Sequence, residues 1–153
     1  MSEFGKAIFC FIKTTLERYE LPASDSAINL LIMIMAHESG NFRYVKQKDG
    51  PALGLCQMEH NTFFFVMGYL IRTERFKLLE RHFPPELMQV DSAFALAVAR
   101  VYLYSFPESL PDANDFEGLA CYAKKYWNTT AGKATEQDYL NAFNTVRKEY
   151  EVA

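Results

Sequence analysis

The sequence predicts an all-α fold, with at most a minimal β element, and three observations predict it. Apolar residues recur at intervals of three and four through most of the chain, the pattern of helices that bury one face. No run of four or more residues alternates cleanly between apolar and polar, as a half-buried strand would. The prolines, at 22, 51, 84, 85, 107 and 111, all fall between the periodic segments. With 153 residues, half of them apolar, the chain fits one domain spanning 1–153 that buries roughly two-thirds of its unfolded surface.

Each element follows from this pattern. Phe4, Ala7, Ile8, Phe11, Ile12, Leu16 and Tyr19 form the stripe of an amphipathic first helix that stops before Leu21-Pro22. Ser24 or Asp25 reads as the N-cap of a second helix, from about Ser26 to Glu38, whose almost unbroken apolar content places it in the interior. Gly40 is its stop signal. Between Gly40 and Leu55 periodicity disappears and the turn cluster Asp49-Gly50-Pro51 intervenes; an aperiodic connection of this length is usually functional. A third helix begins near Glu59 or Asn61, and a further one covers Arg72 to His82 before Pro84-Pro85. Asp91 to Tyr104 reads as another mostly buried helix, followed by a loop bracketed by Pro107 and Pro111. Helices from Asp115 to about Trp127 and from Thr135 to Tyr150 complete the prediction.

Composition excludes several classes of function. Sixteen basic residues against 19 acidic ones, with no long block of like charge, argue against nucleic acid as a partner. Cys10, Cys56 and Cys121 form no CxxC and read as reduced, mostly buried thiols. His37, His60 and His82 form neither HxxxH nor HExxH, so no metal site is expected, and without a Gly-rich phosphate loop no cofactor is expected either. The N-terminus lacks the features of a secretory signal, and the longest apolar stretch, Ala27 to Ala36, is far short of the ~20 residues of a membrane span. The expectation is synthesis in the cytoplasm and no membrane span.

One carboxylate stands out. Glu38 ends the greasiest segment of the chain and is followed at once by Ser39-Gly40-Asn41-Phe42. The negative end of a helix macrodipole and partial burial both favour a protonated carboxyl group, which is what a general acid needs near neutral pH. A solvated helix-end Glu with no role is the competing reading.

The residues that follow tip this balance. Glu38-Ser39 at the end of a buried helix, Phe42 a few positions on, then Gly54-Leu55-Cys56-Gln57-Met58 and Thr62, resembles the pattern of the lysozyme-like lytic transglycosylase superfamily, which includes goose-type lysozyme-like and phage-encoded members. Ala99-Arg100-Val101-Tyr102-Leu103 matches the family's Ala-x-x-Tyr-Leu helix, and Ala120-Cys121-Tyr122-Ala123 is the best counterpart of an element whose Tyr approaches the catalytic Glu. The likeness runs in order from about Ala27 to Trp127, and Tyr126-Trp127-Asn128-Thr129 with Gly132-Lys133 looks like phage-encoded relatives. The chain departs from the pattern at Cys56, where Met is usual, and at Tyr122-Ala123-Lys124-Lys125, which lacks the usual Asn-Ala-Gly. The second departure leaves Tyr122 and Tyr126 as alternative partners of Glu38.

The resemblance implies a lysozyme-like domain that cleaves the β-1,4 bond between N-acetylmuramic acid and N-acetylglucosamine in peptidoglycan glycan strands, as a bacteriolytic, cell-wall-degrading glycosidase. Glu38 would be catalytic, with Ser39, Phe42, Gln57, Met58, Tyr102, Tyr122 and Tyr126 against the substrate. A lytic transglycosylase needs one enzyme carboxylate; a hydrolysing muramidase usually needs a second, and Asp49 or Glu59 would be that group. Asp49 is also an ordinary turn former and Glu59 an ordinary helix-start residue, which favours the single-acid reaction. Ser39 either orients Glu38 or the sugar, or caps the helix end. Phe63-Phe64-Phe65 cannot all face one core, so at least one of them lines a groove or meets a partner. The place of action would be the cell wall, reached as an endolysin released at lysis through a holin or as a virion-associated enzyme beside other virion proteins. The competing classes are a non-catalytic virion or wall-binding module on the same scaffold and a plain helical interaction domain.

Overall fold

A computed structural model describes residues 1–129 and 131–148. Among these residues the chain is all-α: α1 (Glu3–Arg18), α2 (Asp25–Glu38), α3 (His60–Thr73), α4 (Leu87–Val90), α5 (Ser92–Tyr104), α6 (Phe116–Tyr122), a π-helical segment (Ala123–Asn128) and α7 (Glu136–Lys148). The β content of the described residues is two isolated antiparallel bridges, Lys46 with Leu53 and Leu53 with Met58.

Helix α2 is the axis of the molecule. Every residue from Ala27 to Ala36 is buried, with α1, α5, α6, α7 and the π-helical segment packed around it. Each Leu, Ile or Met taken out of water there contributes roughly 1.5–3 kcal/mol, so this one helix anchors much of the core. Its start is fixed by Ser24, whose hydroxyl accepts from the Ala27 amide at 3.2 Å. Asn29, a polar residue in this greasy run, donates from Nδ2 to the Ala113 carbonyl at 3.0 Å and ties α2 to the loop before α6. Helix α7 closes the bundle through Tyr139, Phe143 and Val146, spaced along one face and all buried. Ser2 joins the chain's beginning to this helix, donating from its hydroxyl to the Val146 carbonyl at 2.6 Å.

Three expectations are corrected. No helix covers Arg72 to His82: α3 runs on to Thr73 and ends at Glu74, which adopts a left-handed φ of 55° and donates its amide to the Leu70 carbonyl. Phe76 repeats the left-handed conformation at φ 53°, and its ring meets Tyr104 edge-on, so side-chain docking replaces helical continuation. The helix expected from Asp115 to Trp127 changes type at Ala123, where it widens into the π-helical segment. The thiols are free, but only Cys56 is buried; Cys10 and Cys121 are exposed on α1 and α6. The last helix is as expected through Lys148, and its expected end at Tyr150 lies outside the described residues. Of the three consecutive phenylalanines, Phe63 enters the core while Phe64 and Phe65 are exposed, Phe65 lying edge-on to Tyr102. Among the described residues no helix is long and apolar enough to cross a membrane.

Candidate functional site

The last residue of α2 is Glu38, and the chain reverses immediately after it. Gly40, Asn41 and Phe42 are successively left-handed, with φ of 60°, 59° and 63°. Two of these are not glycine, so the turn stores backbone strain that the surroundings must hold. Ser39 does so: it is fully buried, its hydroxyl donates to the Met35 carbonyl at 2.5 Å, and the same oxygen accepts from the Phe42 amide at 2.7 Å. The Asn41 amide reaches back to the Ala36 carbonyl at 2.8 Å. Of the two readings of Ser39, the structure supplies the helix-end cap.

The aperiodic stretch that follows is a folded loop. Leu53 and Met58 exchange both backbone hydrogen bonds at 2.9 Å, and the Gly54 amide donates to the Val45 carbonyl at 2.8 Å. Gly54 has φ 76°, and a Cβ there would lie 3.0 Å from both the Ala95 Cβ and the Met88 carbonyl. Only glycine allows this loop to press against α4 and α5. The Gln57 side chain completes the turn, donating from Nε2 to the Gly54 carbonyl at 2.7 Å.

Between this loop, Glu38, α3, α5 and the segment after the π-helix lies a groove of about 470 Å³. Glu38 lines it with its side chain 19% exposed, beside Gln57, Met58, Glu59, Thr62, Tyr102 and Trp127. The far wall is Asn128, Thr129 and Gly132, braced by Lys124, whose ammonium donates to the Asn128 side chain at 2.7 Å and the Gly132 carbonyl at 2.8 Å. Tyr102 and Trp127 meet edge-on with centroids 5.6 Å apart, an aromatic corner suited to the apolar face of a flat ring.

Glu38 is held by a residue that the sequence reading did not single out. The Tyr139 hydroxyl, on α7, donates to Glu38 Oε1 at 2.7 Å, and His37 Nδ1 lies 3.4 Å from the same oxygen. The His37 and Tyr139 rings are stacked at a tilt, 4.4 Å between centroids. Oε2 makes no hydrogen bond to the described residues. Burial first, then the Glu38 charge and hydrogen bond, pushes the Tyr139 phenol far above its ordinary range, so it stays a proton donor to the carboxylate. Burial, and secondarily the charge of Glu38, likewise pushes the Cys56 thiol up and keeps it protonated and unreactive.

Of the residues expected at the substrate, Glu38, Gln57, Met58 and Tyr102 share this groove. Ser39 is the buried cap just described, and Phe42 packs edge-on against Phe4 of α1 at 5.5 Å rather than lining the groove. Tyr122 and Tyr126 are not the partners of Glu38: the Tyr122 hydroxyl donates to the Glu108 carbonyl at 3.3 Å, and the Tyr126 hydroxyl donates to the Glu108 carboxylate. Asp49 is exposed on the turn with φ 59° and does not line the groove, whereas Glu59 does. Glu59 is the N-cap residue of α3 but makes no side-chain capping bond. Asn128, Thr129 and Gly132 belong to the stretch that resembles phage-encoded relatives but were not assigned to the substrate, and Gln47 carries no motif that points to it. Compared with models of known protein families, with curated proteins and with solved structures, the chain matches none.

Proposed function

We propose that the chain is a peptidoglycan-cleaving enzyme, a lytic transglycosylase that cuts the β-1,4 bond between N-acetylmuramic acid and N-acetylglucosamine. The observation that carries this reading is a half-buried carboxylate, Glu38, at the end of the central helix, with one oxygen held by Tyr139 and the side chain lining a groove with an aromatic corner. The resemblance of Glu38-Ser39 and Gly54-Leu55-Cys56-Gln57-Met58 to the lysozyme-like lytic transglycosylase superfamily supplies the reaction.

In this reaction the Glu38 carboxyl group gives its proton to the glycosidic oxygen as the bond from that oxygen to muramyl C1 breaks, and the N-acetylglucosamine end leaves as an alcohol. The muramyl acetamide oxygen holds the electron-poor C1 in the interval. The Glu38 carboxylate then takes the proton of the muramyl 6-hydroxyl as that oxygen bonds to C1, giving a 1,6-anhydro end and restoring the carboxyl group. Tyr139 fixes Oε1, which leaves Oε2 to carry the proton in both directions. Gln57 offers an amide to an N-acetyl group, and Tyr102 with Trp127 offers an apolar face to a pyranose ring.

A second reading is hydrolysis by a muramidase, and the position of Glu59 favours it. Glu59 lines the groove with Glu38, so a hydrolase on this scaffold would draw its second carboxylate from Glu59 and not from Asp49. Release of soluble glycan fragments from purified peptidoglycan tests both against a non-catalytic virion or wall-binding module. The enzyme readings predict release by the wild type and loss of release in Glu38→Gln; a binding module predicts no release from either protein and unchanged sedimentation with the wall.

A further inference from the structure

The central helix has a pocket at each end. Glu38 lines the groove at the C-terminal end of α2; at the other end, beside the N-cap Ser24, lies a separate pocket of about 530 Å³. The two hollows share an aromatic wall, since Tyr102 of the groove lies edge-on to Phe106 of the second pocket, 5.1 Å between centroids.

We propose that this second pocket binds the phosphate group of a ligand, with Arg100 and Arg75 as its charged donors. Arg100 is only 5% exposed and lines the pocket, yet no carboxylate among the described residues pairs with it. Its Nε donates to the Pro22 carbonyl at 2.8 Å, and that is its one hydrogen bond to the described residues. Its Nη1 and Nη2 are not among the fully buried unpartnered atoms, so the rest of the fork opens onto the pocket, while burial of the guanidinium acts against its charge. A role as a backbone clamp for Pro22 accounts for Nε but not for the rest of the fork, nor for the hollow in front of it.

The second arginine completes the arrangement. The Tyr104 ring has the Arg100 Cζ 5.6 Å and the Arg75 Cζ 5.8 Å from its centroid, so one ring carries both cations. Arg75 donates from Nη1 to the Tyr104 hydroxyl at 3.0 Å, which leaves the phenol proton available to a third acceptor. Glu108, which also lines the pocket, pairs with Lys125 and not with either arginine, and Lys125 and Tyr126 both hold its Oε2. Two guanidinium forks and a phenol present more donors than the two oxygens of a carboxylate accept, whereas a tetrahedral phosphate takes them from several sides. A soluble phosphoester and the headgroup of an anionic lipid present the same group, so the chemistry is common and the source is a matter for the test.

The test is titration of the full chain with inorganic phosphate at constant ionic strength, read by calorimetry and by the Nε–H NMR signal of Arg100, with chloride and acetate as controls. The expected result is saturable phosphate binding that moves the Arg100 signal, and at least tenfold weaker binding in the exposed variant Arg75→Gln at an unchanged melting temperature. Arg100→Lys, which keeps the charge and loses the fork, is expected to weaken it too. Phosphate binding no better than chloride, an unmoved Arg100 signal, or equal affinity in Arg75→Gln would overturn the proposal. Sedimentation with phosphatidylglycerol and phosphatidylcholine vesicles separates the sources: Arg75-dependent binding to the anionic vesicles assigns the site to a lipid phosphate, and phosphate binding without vesicle binding assigns it to a soluble one.

Discussion

Tyr139 and Glu38 lie 101 positions apart in the chain and meet at 2.7 Å, phenol to carboxylate, where α7 crosses the end of α2. The contact makes the last helix part of the candidate site. Replacing Tyr139 by Phe keeps the ring and its packing on His37 but frees the carboxylate to rotate. On the proposed reaction the expected outcome is a fall in kcat on the order of 10- to 100-fold with KM little changed, since there Glu38 is the acid and the lost feature is its orientation. Steady-state kinetics on soluble glycan chains check it; a change confined to KM would assign Tyr139 to substrate binding instead.

Ser39 is expected to behave as a structural residue. Ser39→Ala leaves the Phe42 amide without its partner at a strained turn and the Met35 carbonyl with only the residue 39 amide, a loss of about 1–3 kcal/mol. Chemical denaturation should show that loss, while on the proposed reaction the KM of the folded fraction stays close to wild type. Unchanged stability with a raised KM would return Ser39 to the substrate.

The carboxylates separate the two reactions. Asp49→Asn should leave turnover unchanged, because Asp49 is exposed and outside the groove. Glu59→Gln should keep most of the activity in a single-acid transglycosylase. A collapse in Glu59→Gln comparable to that of Glu38→Gln would make Glu59 the second carboxylate of a hydrolase.

Alkaline pH should destabilise the fold through two groups near Glu38. Cys56 and Tyr139 are both held protonated in the folded chain, above ordinary values of 9.0 and 10.0 respectively, with burial the larger cause and the Glu38 charge the next. Above those values the unfolded chain releases protons that the folded chain keeps, so stability is fully present below about pH 9 and falls as pH rises, by up to about 1.4 kcal/mol per pH unit for each group. Urea unfolding between about pH 8 and about pH 11 reads the slope. Tyr139→Phe and Cys56→Ala should each make it shallower, and an unchanged slope in both would contradict this origin.

Sequence pattern reached the helical skeleton and the near half of the site, for local reasons. The apolar run of α2, its Ser24 cap and the turn at Gly40 are short-range signals; the Gly54 to Met58 stretch was legible as a motif, although its glycine is dictated by long-range approach to Ala95 and Met88. Tyr139 was not legible because its spacing with Phe143 and Val146 is that of any core stripe; only the packing of α7 on α2 turns its hydroxyl to Glu38. The π-helical widening after Tyr122 also escaped, since it depends on i to i+5 pairing that leaves no composition signal. It accompanies a split of neighbouring aromatics, Tyr126 bonding Glu108 while Trp127 lines the groove. The segment from Glu74 onwards carries charged and apolar residues at helical spacing, yet left-handed Glu74 and Phe76 end the helix there.

The most direct test of the central claim is mass spectrometry of the soluble fragments released from purified peptidoglycan by the wild type and by Glu38→Gln. A lytic transglycosylase acting through Glu38 gives 1,6-anhydromuramyl ends from the wild type and a loss on the order of 10²- to 10⁴-fold in the variant, the range for removing a general acid and base. Fragments released equally by both proteins would contradict it.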